Sequence, residues 1–458
     1  MLLEERRLHM VARREDTPTV HRSGEKVETK LHRIAEKARK DKRFKFTSLF
    51  HLMNEELLLG CFGRLRKDAA AGIDKMTKET YAENLAVNLS NVTERLHRMA
   101  YKPQPVRRKY IPKPGSTKQR PLGIPSFEDK LVQAGLVRIM EAVYEADFIT
   151  DSYGFRPARS CHDALKALSE TVENNPVNHI VEADIKGFFD NVNQEWLIKF
   201  LAHRISDKRI HRMVKRFLRA GIYEDGNVMV SDEGTPQGGV ISPLLANIYL
   251  HYALDLWFDK AYRKSCTGYA RLIRYADDFV VCFQYKTDAE RFHEELGKRL
   301  GKFGLEVEPT KTKVMEFGRF AVKHAKSKGG KAETFDFLGL THYCGTKKNG
   351  KGFRMKRVTA RKKFIAKLKI FKEWLKNART MKTKNLWETV KAKLRGHYNY
   401  YGVTDNTRGI TRFGMEVVKL LFKWLNRRGK KNCLNWERFN EMLKRFPLPR
   451  PRIRVSMF

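Results

Sequence analysis

Three aspartates in this chain sit where a carboxylate needs a reason. Asp184 ends the apolar run HIVEAD, and Asp277-Asp278 interrupt LIRYADDFVVCF, which is apolar at both ends. Carboxylates gathered inside apolar strands are costly unless something cancels their charge. A divalent cation with hard oxygen ligands is the simplest cancellation, and Mg²⁺ also draws phosphates and water into its shell. Two such ions a few Å apart can activate a 3′-hydroxyl and stabilise a leaving pyrophosphate. The plainer alternative makes Asp277-Asp278 turn formers and Asp184 a helix cap. The pair alone favours that alternative. A strand-end Asp, an aromatic-x-Asp-Asp turn and a strongly basic chain together favour metal-dependent phosphoryl or nucleotidyl transfer.

The basic excess is large: 92 Lys plus Arg against 52 Asp plus Glu in 458 residues, a net charge of +40. That speaks to partners rather than to fold. It is also uneven, with 33 Lys plus Arg and 6 Asp plus Glu from Thr341 to Phe458. Sustained over several expected helices, it points to a polyanion and to strongly salt-dependent nucleic-acid binding. The length suggests two or three units. A 41% hydrophobic and 11% aromatic content argues against wholesale disorder. No run approaches the ~18–20 apolar residues of a membrane helix, and MLLEERRLHMVARRED resembles neither a signal nor a transit peptide. Six scattered cysteines with no CxxC pair argue against a disulfide framework or Cys-rich zinc site and fit a reducing compartment. No membrane is expected among the partners, and a cytoplasmic location is.

The elements that must position the aspartates follow from periodicity. A lysine-rich helical stretch runs to about Arg43, and Tyr101 to Pro125 reads as extended chain and turns. Helices are expected over Asp129–Phe148 and Ser160–Asn175, and a long one over Ile241–Lys264 opened by Ser242-Pro243. His179–Ile185 is a strand and Leu272–Phe283 a tight hairpin. Thr287–Phe303 is an amphipathic helix closed by Gly304, with strands at Val314–Phe317 and Phe335–Leu340. That order predicts an α+β layer with helices on one face. Three lysine-rich amphipathic helices follow at about 359–378, 383–400 and 410–427, and the last 28 residues read as a basic tail.

At this point a family resemblance enters. Tyr275-Ala276-Asp277-Asp278 resembles the YxDD motif of reverse transcriptases, with ADIKGFFD (183–190) as the upstream block and SDEGTPQGGVISPLLANIYL (231–250) as the PQG block. SYGFRPARSCHDAL (152–165), YKPQPVRRKYIPKPGSTKQRPLGIP (101–125), AGIDKMT (71–77) and FDFLGLTHY (335–343) are similar to the group II intron reverse transcriptase/maturase version. The helices carrying LRGHYNYYGV (394–403) resemble its thumb, or maturase X domain.

The resemblance implies a right-hand polymerase. It would comprise an N-terminal extension (1–70), fingers with the start of the reverse transcriptase domain (71–175), and a palm with a ferredoxin-like sheet and YADD hairpin (176–345). A helical thumb/X domain (346–430) and a short basic DNA-binding remnant (431–458) would follow. Asp184 and Asp277 would ligate two Mg²⁺ ions, with Asp278 beside them. Phe189 would gate against a 2′-hydroxyl; its alternative is plain core. Gln237 would contact the incoming nucleotide, with Gly238-Gly239 allowing close approach. Lys113 and Arg120 would clamp the triphosphate, and Lys311 would be an acid for pyrophosphate or a surface residue. Arg354, Lys356, Arg357, Arg361 and Lys362 on the basic thumb side would bind nucleic acid. Tyr398 and Tyr400 would stack on bases or tile the thumb's core. His162 and His397 read as structural.

The expected partners are group II intron RNA, target DNA, an RNA template with a DNA primer, and dNTPs, in a bacterial, nucleoid-associated ribonucleoprotein. Past the tyrosines there is only Cys433 and no HNH-type paired cysteines, so cleavage of the target in cis is not expected. Gln194 stands where relatives carry His after the FFD block, outside the metal site. The main alternative is a domesticated relative acting in DNA repair or phage defence; a non-enzymatic RNA chaperone is the third.

Overall fold

The computed structural model describes residues 21–112, 119–229, 234, 238–347, 349–428 and 434–458, with side chains from Val27 onward. Lys113, Gln237 and Cys433 lie outside the described residues.

Four helices come first: α1 (His21–Lys40), α2 (Glu55–Arg64), α3 (Lys78–Glu83) and α4 (Leu85–His97). Arg204, almost fully buried, fastens α1 by donating to the carbonyls of Ala38, Asp41 and Lys42 while pairing with Asp147 at 3.2 Å. Ala38 O is one of the end carbonyls a helix leaves unsatisfied, and Asp41 and Lys42 follow directly on the helix. The proline-rich segment forms the antiparallel hairpin β1 (Val106–Pro112) and β2 (Gln119–Ile124). Helix α5 (Phe127–Tyr144) is capped by Ser126, and α6 (Cys161–Asn174) opens with a Ser160/Asp163 capping box.

Next come β3 (His179–Ala183), α7 (Gln194–Ala202), α8 (Lys208–Leu218), β4 (Ile222–Glu224) and β5 (Asn227–Met229). Then α9 (Ser242–Leu250) continues through π turns at His251–Asp255 and Phe258–Tyr262 to Ser265. β6 (Ala270–Tyr275), β7 (Asp278–Phe283), α10 (Lys286–Gly301), β8 (Lys313–Glu316) and α11 (Ala321–Ser327) follow. The central sheet has the order β6-β7-β3-β8 and is antiparallel throughout. The fold is α+β, as expected, but the one-sided layer is not.

Both faces of this sheet are buried. Val181, Ala183, Leu272, Phe279 and Val281 join a core with α5, α9 and α10, while Ile180, Ile273, Val280 and Cys282 join a second core with α6. Near-continuous apolar runs such as FVVCF are what a strand covered on both faces requires.

The second core extends through β9 (Phe335–Phe337), β10 (Leu340–Thr346) and β11 (Phe353–Thr359). It continues into α12 (Arg361–Ala378), α13 (Thr383–Tyr401), α14 (Thr407–Leu425) and α15 (Trp436–Arg445). The expected strand at Phe335–Leu340 is instead β9 and the first residue of β10, whose hairpin partner β11 was not foreseen. Of the expected basic tail, the described residues 434–458 pack onto the fold. Phe439 and Met457 are fully buried, and Val455 bridges to Val403. Along the alternation Ile453, Val455, Met457 burial deepens from exposed through half-buried to fully buried, an apolar face that the neighbouring basic residues mask in the sequence.

Candidate active site

The three aspartates meet at one end of the central sheet. Ala183 pairs with Phe279, so the next step of the register carries Asp184 alongside Asp278 on the neighbouring strand, where strands lie ~4.8 Å apart. Asp184 is fixed by its flanks: its carbonyl accepts from Glu308 N at 2.8 Å, and Ile185 bridges Val307. Tyr275 pairs with Asp278 across a two-residue turn, Ala276-Asp277, in which Ala276 has φ +56°. Left-handed backbone at an alanine has to be held by its surroundings.

What holds it is Arg274, fully buried one strand residue before the motif. Its guanidinium meets Asp255 in a fork, Nε to Oδ1 at 2.8 Å and Nη2 to Oδ2 at 2.5 Å. It also donates to Asn247 Oδ1 (3.0 Å), Ser152 Oγ (2.8 Å) and the carbonyl of Ala276 itself (2.8 Å). Asn247 in turn donates to Gly154 O at 2.7 Å. A Cβ on Gly154 would stand 2.2 Å from Ala276 N, so this loop packs directly on the turn's backbone. His251 lies 4.0 Å from Asp255, yet burial lowers its pKa to about 4, which leaves it neutral and Asp255 paired with Arg274.

The charges around the turn oppose one another. Desolvation and then the Asp184 charge raise the Asp277 carboxyl, while Arg120 opposes the rise. Desolvation, Asp277 and Asp184 push Asp278 up to about 7. Its side chain is exposed, so like-charge crowding is the part of that rise the geometry supports. Lys363 at the start of α12 acts on Asp278 in the opposite sense. Lys311 Nζ bonds Asp184 Oδ2 directly, and its own pKa rises for that reason.

Among the described residues, no three His, Cys, Asp or Glu groups stand as a ready metal cluster. The donor chemistry nonetheless fits a hard cation. The carboxylates destabilise one another's charge, and Lys311 puts an ammonium on Asp184.

The remaining candidates divide. Arg120 is exposed on β2 and its charge reaches Asp277. Phe189 is half-buried in a short 3-10 turn, edge-on to Phe188 at 5.3 Å. Arg361 and Lys362 are exposed, and Arg354 and Lys356 half-exposed, with Arg354 over the Phe458 ring at 3.5 Å.

Two expectations need correction. Arg357 is fully buried, donating to Ser169 Oγ at 2.7 Å, and Tyr398 is 1% exposed, so neither side chain is open to nucleic acid. Tyr400 is half-buried with its hydroxyl spent on Leu338 O at 3.0 Å. His162, bonded to Tyr400 O at 2.9 Å, and His397, stacked on Phe413, are in structural positions. Gly238, at φ +114°, makes its close approach to β2, where a Cβ would lie 2.5 Å from Gly123 O. Gln194 donates to Gly234 O at 3.2 Å, away from the aspartates.

The Arg274 network was not foreseen from sequence. Its signal was present: Asn247, His251 and Asp255 form a polar i, i+4, i+8 stripe on an otherwise apolar helix.

Acidic residues on a hairpin turn and at a neighbouring strand end, with basic side chains around them, are the kind of donor set that the cation-dependent phosphoryl-transfer class of enzyme uses. Comparison with known proteins narrows the class. The chain belongs to the reverse transcriptase (RNA-dependent DNA polymerase) family, which it matches over residues 111–342. Such enzymes are in general divalent-metal dependent.

It is 39% identical over 222 residues to the group II intron-encoded protein LtrA of Lactococcus lactis subsp. cremoris, covering 48% of this chain and 37% of that protein. It is 36% identical over 276 residues to protein YkfC of Escherichia coli (strain K12), covering 53% of this chain and 71% of that protein. A more distant relative is nuclear intron maturase 2, mitochondrial, of Arabidopsis thaliana, 24% identical over 175 residues, covering 29% of this chain and 23% of that protein. The chain thus spans little more than a third of LtrA. These similarities support the group II intron reverse transcriptase/maturase resemblance read from the ordered motifs. No described helix is long and apolar enough to cross a membrane.

Proposed function

We propose that this chain is an RNA-directed DNA polymerase of a group II intron that also binds its intron RNA as a maturase. The observation that carries the proposal is the Arg274-clamped turn presenting Asp277 and Asp278 beside Asp184. In this reading the β6-β7-β3-β8 sheet is the palm, residues 71–175 are the fingers and 346–430 the thumb. Asp184, Asp277 and Asp278 would hold two Mg²⁺ ions, which when bound supply charge neutralisation for primer attack and pyrophosphate release. Arg120, whose charge reaches Asp277, would offer a fork for the triphosphate, and the resemblance gives Lys113 and Gln237 roles at the same nucleotide. Phe189 lies under the sugar and leaves no room for a 2′-hydroxyl. Lys311 holds a proton beside Asp184, available to the departing pyrophosphate.

The maturase half rests on the exposed Arg361 and Lys362 and the half-exposed Arg354 and Lys356, and needs no carboxylate. Together the halves would promote splicing and retrohoming by target-primed reverse transcription, with target DNA, template–primer and dNTPs as further partners. Asp277→Asn tests the division. Primer extension on an RNA template should be lost while RNA affinity and splicing assistance stay near wild type. Loss of both in a folded variant would contradict it. Sequencing the RNA that co-purifies from the native host tests the intron half: an RNA containing the protein's own reading frame is expected, and unrelated RNA would shift the biology to repair or defence.

A further inference from the structure

The opposite end of the central sheet carries a second concave feature. β3 starts at His179 and ends beside Asp184, so its two ends are roughly 15 Å apart at ~3.3 Å per residue. Around His179 there is a surface cavity of about 240 Å³, lined by Asn178, His179, Gln284, Tyr285, Phe320 and His324 among others. That is below the ~300–1,000 Å³ of sites for drug-sized ligands, and of a size for one ring system.

The lining suits a nucleobase. Tyr285 is 45% and Phe320 55% exposed, a large display for aromatic side chains, although Gly268 packs against the Tyr285 ring. Phe320 already stacks on His324, with centroids 6.1 Å apart and planes 20° from parallel. Asn178 and Gln284 also line it, with Asn178 Nδ2 donating to Gln284 O at 3.2 Å and Gln284 Oε1 accepting from Tyr269 N at 3.1 Å, and Nδ1 of His179 is buried with no hydrogen-bond partner among the described residues. Burial depresses the His179 pKa, so the ring presents neutral nitrogens.

The rim is basic. Residues 319–331 (RFAVKHAKSKGGK) contain five Lys or Arg and no acid. Arg319, Lys323, Lys326 and Lys328 are exposed along and around α11. One acid, Glu316, lines the cavity and is paired with His324, while Glu290 is paired with Lys286, also in the lining, at 3.0 Å. Aromatic faces beside a small cavity, with cations around it, are the elements that bind single-stranded nucleic acid. The shape is a pocket rather than a continuous groove, which suits a base splayed from an RNA loop better than a duplex.

We propose that this cavity takes one unpaired base of a folded RNA, with Tyr285 and Phe320 stacking on it and Lys323 and Lys326 holding the flanking phosphates. The site is separate from the carboxylate site, so the protein can hold an RNA loop here while a template–primer occupies the other.

The test uses the full chain and a 20-nucleotide RNA hairpin whose loop carries 4-thiouridine, irradiated with saturating preannealed template–primer present. Crosslinked peptides are mapped by mass spectrometry. Adducts at Tyr285 or within 319–326 are expected. Phe320→Ala and Tyr285→Ala should each weaken hairpin binding about tenfold, within the range for losing one stacked base. Extension of the preannealed primer should be unchanged. Both side chains are well exposed, so folding should be preserved, and an unchanged melting temperature verifies it. Adducts confined to other surfaces, complete competition by the template–primer, or wild-type hairpin affinity in both variants would each overturn the proposal. Failure of primer extension by the wild-type chain would instead count against the polymerase reading alone.

Discussion

Arg274 makes the sharpest division between folding and chemistry. One guanidinium with no solvent exposure makes five hydrogen bonds to Asp255, Asn247, Ser152 and Ala276. Arg274→Met leaves the Asp255 carboxylate buried without its countercharge. Breaking a buried pair in this way costs ~3–5 kcal/mol, a large share of the ~5–15 kcal/mol that holds a domain folded. Adding Asp255→Leu removes the stranded charge, and apolar replacement of a whole buried pair is often neutral. The double variant should therefore recover most of the stability, read by urea unfolding with an unchanged slope. It should not recover activity. Ala276 O still lacks its donor, the left-handed turn is no longer pinned, and a displacement of ~1 Å at a reacting group can cost on the order of 10²-fold. Primer extension at saturating template–primer and dNTP should thus show a lowered kcat in both variants. A double variant that is stable and fully active would refute the positioning role and leave Arg274 as core filling. A single variant losing under ~1 kcal/mol would refute the burial argument itself.

Three other outcomes follow from the same geometry. Gly154→Ala drives a Cβ to 2.2 Å from Ala276 N and 2.9 Å from Tyr275 C, both backbone atoms; a loss of ~1–3 kcal/mol and at least tenfold slower extension are expected, with template–primer affinity retained. Phe189→Ala should admit ribonucleotides, measured as the ratio of rNTP to dNTP incorporation; unchanged sugar discrimination removes the gate. Burial lowers the pKa of His397 to about 3, with Lys367 adding to the effect, and that of His251 to about 4. The unfolded chain binds these protons near pH ~6.5, so the stability they contribute is full above that pH and lost as the pH falls toward 3–4. At pH 5 each should cost about 2 kcal/mol. His397→Phe should flatten the fall in urea midpoint between pH 7 and pH 5, and a slope equal to wild type would count against a buried neutral imidazole.

The carboxylates were legible because a charge inside an apolar strand is anomalous whatever the fold. Their clamp was not, since Arg274 finds its countercharge on a helix whose approach only tertiary packing decides. The basic end shows a different limit. Basic surroundings suggested Arg357 as a nucleic-acid contact and Tyr398 as either a stacking residue or core, and period puts both inside. In FRMKRVT, Met355, Arg357 and Thr359 share the buried face of β11, and Leu394, Tyr398 and Tyr401 continue the apolar stripe of α13. A basic residue can be read as a phosphate contact only after its position on the strand or helix has been assigned. Applied to the rest, that rule keeps Arg361 and Lys362, exposed at the first turn of α12 next to Lys363, whose charge acts on Asp278. In the proposed reading, a polyanion lying on that turn would have the Lys363 charge between it and the carboxylates.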